Sequence, residues 1–175
     1  MEKLCGFVKP LLLWWLRTEP RNYPWRSERN IYRLIVAEVL LQRTRRDLVI
    51  EVYKALLERY PTADALASAD EEEVKRIIAP LGLIKRAGYL IKMAKELCAG
   101  VRLEELTGVG KYTASMVKLL RGEDVELVPD ASIARVLSRL SGLPLNDRKP
   151  ADTPWVAELL NTCAPKDKKR EFVLA

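Results

Sequence analysis

Apolar residues return every three or four positions along this chain, and no run alternates convincingly as a half-buried strand would. The pattern predicts helix after helix, punctuated by proline and glycine. The first runs from about Leu4 to Arg17, after which Pro20 and Pro24 hold the chain extended around Tyr23-Pro24-Trp25-Arg26. Asn30 is placed to cap a second helix reaching about Gln42. Leu34, Ile35, Val36, Val39, Leu40 and Leu41 cover most of its sides, which marks a helix at the centre of a core. A third helix spans Arg46 to Tyr60 and stops at Pro61. Asp70-Glu71-Glu72-Glu73 supplies a cap, an acidic first turn and a capping-box partner for a helix ending before Pro80. Leu83 to Cys98 follows, with Ile84, Ala87, Leu90, Ile91 and Ala94 on one face and Gly100 as its stop. Shorter helices are predicted at Leu103–Leu106, Tyr112–Leu120 and Ser132–Leu140. Thr153-Pro154 opens another, reaching about Cys163. A last helix begins near Lys166, and the fold class is all-α.

Composition narrows the chemistry. Hydrophobic residues make up 49% of the 175 positions, enough for one domain or two small lobes sharing a core. The net charge of +6 favours a polyanionic partner without specifying one. Histidine is absent, so Ser-His-Asp triads, Cys-His dyads and His-ligated metals are excluded. Acid–base work falls to Asp, Glu, Tyr or Lys. The three cysteines, Cys5, Cys98 and Cys163, lie far apart and form no Cys-x-x-Cys pair. They are expected to be buried free thiols rather than a disulfide or a metal set, which suits a reducing cytoplasm. The apolar run Phe7 to Leu16 is too short for a membrane span of roughly 20 residues and carries Lys9 and Pro10.

Three places carry the candidate chemistry. Leu106-Thr107-Gly108-Val109-Gly110-Lys111 is a glycine-rich turn running straight into a helix. Its amides and the helix dipole point the same way, a grip for an anion and above all for phosphate. A short distance downstream, Val128-Pro129-Asp130 places a carboxylate at the head of the next helix. A second acid, Glu38, lies inside the most apolar helix, where a carboxyl is costly unless paired or protonated.

From Tyr23 to the C-terminus these blocks resemble the helix-hairpin-helix DNA glycosylase superfamily, which includes endonuclease III and the adenine and thymine mismatch glycosylases. The resemblance rests on Tyr23-Pro24-Trp25-Arg26, Ala37-Glu38-Val39-Leu40-Leu41-Gln42-Arg43-Thr44, Leu81-Gly82-Leu83, the hairpin, and Val128-Pro129-Asp130-Ala131-Ser132, all in the family's order. It implies two helical lobes with a DNA cleft between them. One is a six-helix module over residues 30–140; the other joins residues 1–29 to 141–175. It implies Asp130 as the carboxylate that stabilises an oxocarbenium-like transition state and Glu38 as the group that helps the base leave. Gln42 would fill the gap left by an extruded base, and Arg43, Arg45, Gly108, Val109, Gly110, Lys111 and Thr113 would contact DNA. Members that also nick the backbone carry a lysine where this chain has Tyr112. Here Lys111 is one residue early, about 100° away around a helix. Tyr112 therefore implies a water-using, monofunctional enzyme, and among family members it favours thymine or uracil opposite guanine.

The chain also departs from the pattern. Thr107 stands where the family hairpin usually has proline, and Ser132 where asparagine is common. Many members end with four cysteines around a [4Fe–4S] cluster. This chain supplies no such set, so no cofactor is expected unless the natural chain continues past Ala175. The expected partner is double-stranded DNA carrying a mismatch, bound by a monomer located in the cytoplasm on the nucleoid. Alternatives are an adenine-specific mismatch enzyme, a non-catalytic DNA-binding module, and an oxidised-pyrimidine enzyme, the last disfavoured by Tyr112.

Overall fold

The computed structural model describes residues 2–17, 23–82, 84–146 and 148–174. In chain order its helices are α1 (Val8–Arg17), α2 (Ile31–Leu41), α3 (Arg46–Arg59), α4 (Ala63–Ala67), α5 (Glu71–Ile78), α6 (Arg86–Cys98), α7 (Lys111–Arg121), α8 (Ala131–Ser141), α9 (Pro154–Cys163) and α10 (Lys169–Leu174), with short 3-10 turns between some of them. No strand occurs among the described residues. The chain divides into two compact units. One is the continuous segment Tyr23–Arg121; the other combines Met1–Asn22 with Gly122–Ala175. The dividing line expected near residue 140 thus falls at residue 121, because α8 packs on α9 and on the 3-10 turn Pro150–Asp152.

In the continuous unit α2 is the axis. Leu34, Ile35, Val36 and Leu40 are fully enclosed, and α3, α6 and α7 pack around it. Asn30 caps the helix as expected, its side chain accepting from the Arg33 amide at 3.2 Å. The Tyr-Pro-Trp-Arg motif serves packing here. Tyr23 and Trp25 stack at 5.1 Å, Trp25 meets Tyr53 edge-on, and the Tyr23 hydroxyl donates to Asp47 at 3.1 Å. α4, capped by Thr62, was not expected; five residues are too few to show a period. α6 starts at Arg86 rather than at residue 83, leaving Ile84 half-exposed ahead of it, while Ala87, Leu90, Ile91 and Ala94 are buried as predicted. Leu83 lies outside the described residues.

The second unit is built from the two chain ends. Residues Glu2–Phe7 form a 3-10 turn that leads into α1, where one longer helix was expected. That turn packs on α9, α1 packs on α10, and Phe7 meets Phe172 at 6.4 Å. Cys5 and Cys163 are joined by a disulfide across 158 residues of sequence. The expectation of free buried thiols is corrected here. Folding brings the two ends together, and nothing in the local spacing of either cysteine announces that. Cys98, the remaining thiol, is exposed rather than buried.

Candidate active site

In the continuous unit, the hairpin between α6 and α7 is shaped by its glycines and by one internal bond. Gly108 has φ +81°, a left-handed conformation that other residues resist. The Val109 amide donates to the Leu106 carbonyl at 3.0 Å and closes the turn. Val109 therefore differs from the expected phosphate contact, since its amide is spent inside the loop and its side chain is buried. Among the described residues the amides of Gly108, Gly110 and Lys111 have no acceptor. The α7 ladder begins with Ala114 donating to Gly110 at 2.9 Å, which leaves the first-turn amides facing out of the helix end. Lys111 is exposed, Tyr112 half-buried and Thr113 buried, so Thr113 can offer an anion only its backbone amide.

The α2 end reaches this hairpin. The Gln42 side chain donates to the Gly108 carbonyl at 3.1 Å, so the residue expected as a plug rests against the glycine turn. Arg43 follows with φ +58°, the one left-handed non-glycine among the described residues, and its side chain is exposed. Such a conformation is costly for a side chain with a Cβ and is held by its surroundings. Thr44 donates backbone and hydroxyl bonds back to Leu41 and Gln42, and Arg86 of α6 donates to the Val39 carbonyl at 2.8 Å. Arg86 is thus a cap on the α2 C-terminus that the sequence did not reveal. Its charge is disfavoured by burial and then by the neighbouring Arg43. Arg45 sits exposed at the head of α3.

Glu38 lies inward on the same helix and is 8% exposed. It forms no hydrogen bond among the described residues. Burial pushes its carboxyl up to about 7, with the Arg46 cation opposing that rise. At neutral pH it is poised between acid and base.

In the other unit, Asp130 is the cap of α8. Its Oδ1 accepts from the Ile133 amide at 2.7 Å, and its second oxygen has no partner among the described residues. Ser132, one residue into α8, is exposed. The extended segment leading to Asp130 is gripped by Asn161 of α9. The Asn161 Oδ1 accepts from the Leu127 amide at 2.7 Å, and its Nδ2 donates to the carbonyls of Leu127 and Ala157 at 2.8 and 2.9 Å. Lys169 of α10 pins the preceding residues through Asp124 and the Val125 carbonyl. Sequence reading missed both, because each acts on backbone far away in the chain.

The cysteines do not fit a four-thiolate cluster. Two are committed to each other, and no group of three metal-ligating side chains occurs among the described residues.

Thymine-DNA glycosylase of Aeropyrum pernix is 35% identical over 90% of this chain and 75% of its own length. The adenine DNA glycosylase of Arabidopsis thaliana is 29% identical over 89% of this chain, which spans only 31% of that longer enzyme. The solved structure of a thermostable thymine-DNA glycosylase superposes with a TM-score of 0.80 at 28% identity, over 99% of this chain and 83% of that one. Residues 36–154 match the pattern of the HhH-GPD superfamily of base excision DNA repair proteins, a span that contains the hairpin, Glu38 and Asp130. The chain belongs to that superfamily.

Proposed function

We propose that this protein is a monofunctional DNA N-glycosylase that hydrolyses the glycosidic bond of thymine or uracil opposite guanine. The observation that carries the reading is Asp130, held by one oxygen and open at the other. As the C1′–N bond lengthens, positive charge gathers on the sugar, and a fixed carboxylate stabilises it. Water then attacks C1′ and gives up a proton that the carboxylate can receive, while the bonding electron pair leaves with the base. Glu38, whose buried carboxyl is pushed up to about 7 and so keeps a large protonated share at neutral pH, suits the task of donating a proton or hydrogen bond to that base. Tyr112 has no amine with which to form a Schiff base, which supports water rather than a lysine as the nucleophile. The products are a free base and an abasic site. The hairpin amides and Lys111 hold a phosphate of the bound strand, and the protein acts as a monomer.

The thymine preference draws on the Aeropyrum relative and on Tyr112; adenine excision is the second reading, favoured by the plant relative. Labelled duplexes carrying G·T, G·U, A·G, A·8-oxoguanine or thymine glycol, incubated with protein and then treated with alkali, separate them. Cleavage at G·T and G·U is the expected result. Cleavage confined to A·G or A·8-oxoguanine favours the second reading, and binding without cleavage anywhere overturns both. Breaks that appear before alkali, with efficient borohydride trapping, would remove the monofunctional assignment.

A further inference from the structure

We propose that Glu96 is a positioning residue for the DNA-holding hairpin, gripping Thr107 so that the turn is set before DNA arrives. This rests on the reading of the hairpin as a phosphate grip.

Glu96 lies in the last turns of α6, half-buried, and meets Thr107 with both oxygens. The Thr107 amide donates to Oε2 at 2.6 Å, and its hydroxyl to Oε1 at 2.8 Å. Charge-assisted bonds of this kind are stronger than neutral ones, and two to one residue fix orientation as well as distance. Thr107 is the residue immediately before the left-handed Gly108. Fixing its amide therefore aims the peptide that leads into Gly108, Val109 and Gly110. The opposite side of the loop is held by Gln42 on the Gly108 carbonyl, so α6 and α2 grip the turn from two directions. A bare carboxylate close to a phosphate site would repel its ligand. This one is spent on two donors, with Lys92 a further 3.8 Å away. The Thr107 amide is also the leading cause holding Glu96 below the usual carboxylate range.

The two bonds do by contact what a proline ring does covalently. Leu106 has φ −65° and ψ 141°, the extended backbone that a residue before proline must adopt. Thr107 is not left-handed, and its amide serves only Glu96. Proline at position 107 is compatible with the extended Leu106 before it and fixes φ without an outside partner.

The test measures affinity for a G·T duplex by fluorescence anisotropy, together with single-turnover excision at saturating enzyme. Glu96→Ala is expected to weaken binding by roughly tenfold, the size of a lost pair of modest hydrogen bonds, with the saturated rate unchanged within about twofold. Thr107→Pro in the Glu96→Ala background should restore affinity to within about twofold of wild type. Glu96→Gln should bind nearly as well as wild type, because its Oε1 can accept from the amide while its Nε2 donates to the hydroxyl. Unchanged affinity in Glu96→Ala, or a double variant as weak as Glu96→Ala, overturns the proposal. If Glu96→Ala does not fold, the double variant and Glu96→Gln still decide it, since loss of binding in both contradicts it. Gly110→Asp separates the two readings: a Cβ there meets nothing within 4 Å, and its anionic side chain should weaken binding by at least about tenfold. Normal binding by Gly110→Asp removes the hairpin reading and this proposal with it. Weak binding by Gly110→Asp beside normal binding by Glu96→Ala removes this proposal alone.

Discussion

Each unit holds one loop that carries a candidate functional group, and in each a single side chain makes two bonds to one residue of that loop, yet the two grips are built differently. In the continuous unit a carboxylate, Glu96, accepts twice from Thr107. In the unit made of the chain ends an amide, Asn161, accepts from and donates to Leu127. The difference follows from what the loops offer. Thr107 presents an amide donor and a hydroxyl that can reverse its role. Leu127 presents one fixed donor and one fixed acceptor, which only an amide can match. A charge-for-amide exchange should therefore be tolerated at position 96 and not at position 161. The units also differ in how they are held. The continuous one rests on an apolar core around α2, and the other is tied by the Cys5–Cys163 bond.

The largest expected effect tests where the chemistry resides. Asp130→Asn should lower excision by roughly 10²–10³-fold. Asparagine caps helices as well as aspartate, so the melting temperature and DNA affinity should hold. A matching loss of affinity would move Asp130 from chemistry to docking. The next prediction bears on the tie. Reduction, or Cys5→Ser with Cys163→Ser, should lower the melting temperature by roughly 5–10 °C. Amide exchange should show the loss in the chain-end unit, with α2 still protected. Uniform loss would mean that the units melt as one.

Glu38 tests the apolar core of the continuous unit. Its folded carboxyl titrates near 7, above its ordinary 4.5, so the folded form binds the proton more tightly. The stability this gives is complete below about pH 4.5 and lost as pH rises to about 7, on the order of 3 kcal/mol in all. Glu38→Gln should flatten that decline in melting profiles and make the protein more stable than wild type at pH 8. It should also remove a fall in excision rate centred near pH 7. A pH-independent rate in wild type would leave Glu38 a structural role only. The smallest effect separates the grips. Asn161→Asp keeps one bond and sets a carboxylate against two carbonyls. It should lower stability by roughly 2 kcal/mol and excision by about tenfold, where Glu96→Gln changes either by little.

The helical architecture was legible because it is written in the period of apolar residues, and α2 could be placed at the centre because it is apolar all round. Glu38 and Asp130 stood out for local reasons: a carboxyl in an apolar helix, and an acid at a helix start. Glu96, Asn161 and Arg86 carried no such mark. Each bonds to main chain 11 to 47 residues away, and main chain looks the same at every position. The pairing of Cys5 with Cys163 was hidden for a related reason, since only the finished fold makes them neighbours. The α8 boundary shows the limit from another side. The span of a family resemblance records shared residues, whereas a compact unit records which surfaces are covered, and those need not end together.

The bond between Cys5 and Cys163 closes a covalent ring, and the whole continuous unit lies on that ring. A single protease cut at any point in it opens the ring without releasing a fragment. On a non-reducing gel the nicked molecule stays one species, heavier only by the water of hydrolysis, and it comes apart into two pieces only when reductant is added.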